Sequence, residues 1–74
     1  MPYNYSKLRG RIVEKFQTQQ KFARAIGMSE RSLSLKLNGK RGWRQPEIEK
    51  ACAALNLTES DISNYFFALE VQVA

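Results

Sequence analysis

The sequence predicts an all-α fold of five helices, with two central helices joined by a very short turn. Three observations carry this prediction. Apolar residues recur at spacings of three to four along most of the chain, the period of one helix face. Residues that accept from free helix N–H groups precede these stretches, and glycines follow two of them. At 74 residues the chain is about half of a typical domain, which leaves room for one small core.

In the first helix, Tyr5, Leu8, Ile12, Val13 and Phe16 share a stripe, and Asn4 or Ser6 is placed to cap its start. Gly10 lies on the far side, costs about 1 kcal/mol relative to alanine, and has no explanation in the sequence. Thr18 caps a short second helix, Gln19 to Ile26, with Phe22, Ala23 and Ile26 on one face and Gly27 as its stop. Only Met28 separates that stop from Ser29, the cap of a third helix from Glu30 to about Asn38, closed by Gly39. Helices joined so tightly must cross steeply.

Lys40 to Arg44 forms a basic loop, in which Trp43 is expected to pack against the fourth helix rather than stack on nucleic acid. Gln45 and Pro46 open that helix, where Glu47 and Glu49 suit the positive end of its dipole. Its core stripe is Ile48, Ala51, Cys52 and Leu55. Thr58 to Asp61 resembles a capping box and starts a fifth helix that runs to about Tyr65. From Phe66 onward the period changes: Phe67, Leu69, Val71 and Val73 alternate with less apolar residues, a strand pattern. A lone strand needs a second chain to pair with or stays frayed. The expected organisation is therefore one domain over residues 1–66 and a tail, 67–74, that is a candidate strand or interaction segment.

Composition excludes several function classes. Histidine is absent and Cys52 is the single cysteine, which removes zinc signatures, His-dependent catalysis and an intramolecular disulfide. No paired acid and base, activated nucleophile or phosphate-cradling loop is present, so neither an enzyme nor a cofactor is expected. Cys52 lies on a core stripe and is expected to be an inert buried thiol. Wholly apolar runs such as Tyr65 to Leu69 reach five residues at most, far short of the roughly 20 a membrane helix needs. No apolar stretch follows Met1 as in a signal peptide. The expectation is a soluble cytoplasmic protein with no membrane partner.

Charge points the other way, toward a partner. The net charge is +5, but residues 1–44 hold eleven of the twelve Lys/Arg and only two acids. Residues 45–74 hold one base and five acids. Such asymmetry suggests a polyanion partner for the first part.

The third helix concentrates the functional signal. At about 100° per residue, Leu33 and Leu37 lie within about 40° and define its buried face. Leu35 and Arg31 then fall about 200° and 160° from Leu33, on the outer face. Leucine beside arginine suits a helix in the major groove, where apolar atoms meet thymine methyls and arginine bridges guanine O6 and N7. Leu35 is equally readable as an ordinary surface leucine. Ser32 and Ser34 flank this face as donors to bases or phosphates. Glu30 either stabilises the helix dipole or accepts from cytosine N4. Gln19 and Gln20 offer amides to a phosphate at the start of the second helix. Asn38, Lys40, Arg41 and Arg44 lie where a DNA backbone would pass.

The stretch from Gln19 through Ser34 to Leu37-Asn38-Gly39 resembles the helix-turn-helix of the phage Cro and lambda-repressor-like family. The matching features are the opening Gln, Ala23 four residues on, Gly27 in the turn, Ser29 as cap, Leu33, and the closing Asn38-Gly39. Lys36 departs from the pattern, which often has an apolar residue there, and Leu37 is expected to take that place. The resemblance covers about residues 4–66. It implies a lambda-repressor-like five-helix bundle that presents its third helix to double-stranded DNA, with Gln19 and Asn38 on phosphates and Glu30, Arg31, Ser34 and Leu35 facing bases. It also implies a homodimer on near-palindromic DNA.

Two functions follow. One is a sequence-specific DNA-binding regulator of the Cro type, repressing by operator occupancy. The alternative is an antirepressor or modulator that keeps this frame and grips a partner phage repressor by protein–protein contact. Leu35, Tyr65, Phe66, Phe67, Leu69 and Val71 would then anchor the interface.

Overall fold

The structure, a computed structural model, describes residues 3–68. Its elements are α1 (Ser6–Phe16), α2 (Gln19–Ala25), α3 (Glu30–Leu37), α4 (Gln45–Leu55) and α5 (Glu59–Phe66). No strand occurs among the described residues. The predicted five-helix, all-α architecture is the observed one.

The helix boundaries follow their local chemistry. Thr18 Oγ1 accepts from the Lys21 amide at 3.2 Å, and Ser29 Oγ accepts from the Ser32 amide at 3.1 Å. The Thr58 amide donates to Asp61 Oδ2 at 3.0 Å, which closes the acid-containing half of the expected capping box. At α1 neither candidate side chain occupies the cap itself: Tyr5 is the N-cap residue, and Asn4 Oδ1 accepts from the Ser6 amide at 2.8 Å.

Three helices end in the same way. Gly27 and Gly39 adopt φ of 71° and 73°, and Asn56 adopts 56°. In each, the next residue's amide reaches back five positions, Met28 to Ala23, Lys40 to Leu35 and Leu57 to Cys52, each at 2.9 Å. Glycine suits the first two positions because a Cβ is disfavoured at such φ.

The core consists of Tyr5, which caps α1, with Leu8 and Ile12 of that helix, Phe22 and Ala23 of α2 with Ile26, which follows it, and Leu33 and Leu37 from α3. Ala51, Cys52 and Leu55 of α4 and Phe66 of α5 complete it. α1 is the hub, packing on α2, α4 and α5, while α3 packs on α2. Two side chains of α1 also tie the bundle together by closing other helices. Arg9 Nη2 donates to the Leu37 carbonyl at 3.0 Å and to Asn38 Oδ1 at 2.6 Å, and Arg11 Nε donates to the Leu55 carbonyl at 3.1 Å. Free C-terminal carbonyls of α3 and α4 thereby gain charged donors.

Three expectations need correction. Val13 leaves the core stripe and is 57% exposed, because among the described residues no helix covers its edge of α1. Lys36 is 3% exposed and lies in the interior beside Leu37, which does not replace it. Phe66 is the last residue of α5 rather than the first of a strand, and Phe67 closes that helix with its amide on the Ser63 carbonyl at 3.2 Å. The remainder of the alternating pattern, including Leu69 and Val71, lies outside the described residues.

Gly10 now has a physical description. It sits in mid-helix, exposed, and a Cβ built there meets nothing within 4 Å. Gly10→Ala is therefore expected to stabilise the fold by about 1 kcal/mol. Thermal denaturation checks this, with a rise in Tm of about 4–8 °C for a domain of this size.

Candidate functional site

The surface singled out by the sequence is built by α2, α3 and the loop that follows them. Arg31 and Glu30 are exposed on the first turn of α3, with no ion-pair partner among the described residues. Gln20 is exposed at the start of α2, and Gln19 is half-buried beside it. Leu35 is half-buried rather than fully outward. Ser34 is half-buried, and its hydroxyl accepts from Asn38 Nδ2 at 3.4 Å. Because Asn38 Oδ1 is taken by Arg9, the Asn38 amide is engaged within the chain at both ends.

Ser32, Arg41 and Arg44 come together on the other edge of α3. Ser32 Oγ accepts from Ser29 Oγ at 3.0 Å and from Arg41 Nη1 at 3.4 Å. Together with Lys50 of α4 these residues line a hollow of about 410 Å³. Lys40, Arg41 and Arg44 are all exposed.

The loop carrying these cations is held from inside by a residue the sequence reading did not assign. Lys36 Nζ donates to the Gly42 carbonyl and pairs with Glu47 Oε1, both at 2.9 Å. It also lies 6.0 Å from the centroid of the Trp43 ring. Glu47 Oε1 accepts the Arg44 amide as well, at 2.8 Å, so one carboxylate caps α4 and neutralises the buried ammonium. The sequence held one signal for this: at about 100° per residue, Lys36 lies only some 60° from Leu33. Arg9 gave no signal, since its role depends on reaching a distant helix end.

Burial raises the Glu47 carboxyl pKa, but the Arg44 amide and the Lys36 ammonium outweigh it and bring the pKa below its ordinary 4.5. Bonds from the Thr58 amide and hydroxyl lower Asp61 in the same direction. A depressed folded-state pKa contributes stability above the ordinary carboxylate value, and that stability is lost as the pH falls through the folded value. Denaturant midpoints should therefore fall on acidification below about pH 5, and Glu47→Gln should flatten that fall. An unchanged pH slope in the variant would refute the role given to Glu47.

Trp43 packs against the core, and the contact seen for its ring is with α5. Its ring meets Phe66 edge-on, with centroids 5.1 Å apart and planes at 80°. Phe66 is 1% exposed and is core, which removes it from the candidate interface residues. The neighbouring position behaves differently: Phe67 is 48% exposed, with Tyr3 edge-on to it at 5.7 Å. Tyr3, 41% exposed, was not assigned from the sequence and is held there by the Asn4 amide on the Ala68 carbonyl at 2.6 Å. Tyr65 is half-buried. Beside Phe67, an apolar groove of about 750 Å³ runs between α4 and α5 over Trp43, Ile48, Cys52, Leu57 and Ile62.

The Cys52 thiol is buried, and burial foremost, with Asp61 nearby, raises its pKa, away from nucleophilic chemistry. Among the described residues no group of His, Cys, Asp or Glu is arranged to hold a metal ion. No helix among them is long and apolar enough to cross a membrane.

Fold and surface thus define a small helical protein with exposed cations on α3 and the loop after it and an exposed aromatic pair, Tyr3 and Phe67. The chain belongs to the family described as a protein of unknown function, DUF739, whose profile matches residues 1–69. Its fold is similar to the solution structure of the modulator of repression (MOR) of the temperate bacteriophage TP901-1 from Lactococcus lactis. The two are 51% identical, the match covers 97% of each chain, and the TM-score is 0.80. Among curated proteins nothing matches.

Proposed function

We propose that this chain is a phage regulatory protein of the modulator-of-repression type, an antirepressor that binds a phage repressor by protein–protein contact. The similarity to the TP901-1 modulator, 51% identity over 97% of both chains, carries this reading. Exposed aromatics support it physically, because Tyr3 and Phe67 offer large apolar area beside a groove floored by Trp43 and Ile48. The function is binding, without catalysis or cofactor.

The test is titration of the chain into the repressor encoded beside it, followed by calorimetry and by the repressor's retention of operator DNA. The expected result is a stoichiometric complex and altered operator occupancy. No complex at micromolar concentrations of both proteins would overturn the proposal.

A second reading, operator occupancy by a homodimer through α3, is favoured by one observation. Arg31, Lys40, Arg41 and Arg44 are exposed with no acid partner among the described residues. On this reading Arg31→Ala relaxes base preference, whereas Lys40→Ala weakens binding to all sequences alike. Gel shifts at two salt concentrations separate the readings, since retardation of flanking and random DNA alike, only at low salt, argues against operator recognition.

A further inference from the structure

We propose that the hollow between α3 and the start of α4 is a binding site for a small phosphate-like dianion. Its lining carries four cations, Lys36, Arg41, Arg44 and Lys50, against one carboxylate, Glu47. That carboxylate is already engaged by the Lys36 ammonium and the Arg44 amide. Arg41, Arg44 and Lys50 form no salt bridge among the described residues, so three positive groups line one concavity beside a single carboxylate. Like charges held together repel, and an anion between them removes that cost.

The neutral donors are arranged for the same ligand. Ser29 donates its hydroxyl proton to Ser32 Oγ, and Arg41 donates to the same oxygen. With both of its acceptor positions occupied, the Ser32 hydroxyl keeps its own proton as a donor, and Ser32 lines the hollow. Two arginines, a lysine and a serine thus line a space of about 410 Å³, ample for a tetrahedral oxyanion. The planar forks of two guanidiniums match paired oxygens of a phosphate, which a halide lacks. Occupancy would bridge the basic loop to both α3 and α4. This site does not depend on which macromolecule the protein regulates.

The experiment uses the full chain and inorganic phosphate as probe. Amide shifts by NMR are followed during phosphate titration and compared with sodium chloride at equal ionic strength. Saturable shifts centred on Ser32, Arg41, Arg44 and Lys50 are expected only with phosphate. Arg41→Ala and Lys50→Ala should each weaken binding about tenfold, while Lys15→Ala, an exposed residue of α1, leaves it unchanged. The proposal is overturned if phosphate acts no differently from chloride, or if neither pocket variant alters binding. It is also overturned if acetate matches phosphate, or if the shifts appear only with duplex DNA, since the site would then recognise a carboxylate or a nucleic acid backbone.

Discussion

Lys36→Ala is expected to destabilise the fold by about 3 kcal/mol, at the lower end of the loss seen when one partner of a buried pair is removed. The lower end applies because the Glu47 side chain keeps 26% of its exposure and can recover some hydration, whereas Lys36 keeps 4%. The substitution removes the aliphatic stem from the interior, the ammonium from Glu47 and the only donor to the Gly42 carbonyl among the described residues. A domain of this size has about 4–11 kcal/mol of total stability, so urea midpoints should drop sharply. Lys36→Met separates the contributions. Its chain refills the stem's volume, so a loss of only about 1 kcal/mol would assign most of the effect to packing. A double-mutant cycle with Glu47→Gln should show coupling of about 1 kcal/mol, and zero coupling would sink the ion-pair account. Faster amide exchange over residues 38–44 is expected in both Lys36 variants, because their loop is anchored through Gly42.

Adjacent phenylalanines should give opposite results. Phe66→Ala should cost about 3–5 kcal/mol, the range for a fully buried aromatic. It empties the space under Trp43 and removes the contact between α5 and the loop. At that cost the variant is expected to lose cooperative unfolding near ambient temperature. Phe67→Ala, with its ring about half exposed, should change stability by about 1 kcal/mol or less. Its effect belongs to binding: on the proposed function it should weaken the repressor complex about tenfold, as loss of an aromatic anchor does. Phe67→Ala that binds as wild type would remove the aromatic pair from the interface and leave the groove between α4 and α5 to account for it. Phe66→Ala that remains as stable as wild type would contradict its placement in the core.

Helix positions were legible in the sequence because they rest on interactions within a few residues. Thr18, Ser29 and Asp61 act on amides three residues away, and Gly27 and Gly39 meet a local demand for positive φ. The period of the apolar residues likewise reported Leu8, Ile12, Phe22, Leu33 and Leu55 as core. Val13 and Phe66 were misplaced for a different reason. Period gives the face of an element, but exposure depends on whether a neighbour covers that edge of the face.

The charge asymmetry was legible only as a total. Eleven bases in the first 44 residues pointed to a basic surface, yet Arg9, Arg11 and Lys36 serve the interior architecture. Arg9 and Arg11 close helices that lie far along the chain, and no local pattern encodes such reach. Lys36 appeared as a departure from a family pattern, when its long stem lets an apolar position end in a charged group. The candidate surface is accordingly smaller and more specific than the charge count suggested. It consists of exposed Arg31 on α3, exposed Lys40 on the loop, and Arg41, Arg44 and Lys50 around one hollow.

By itself, then, the sequence determined five helices, their caps and stops, most of the core, and the half of the chain that carries excess positive charge. These follow from backbone hydrogen bonding and side-chain period, which act over one or two turns. Only the tertiary structure decided which cations face solvent, that Phe66 and Phe67 part between core and surface, and that Tyr3 joins Phe67. Those outcomes depend on which elements pack together, and packing sets the burial and partners from which each side chain takes its role.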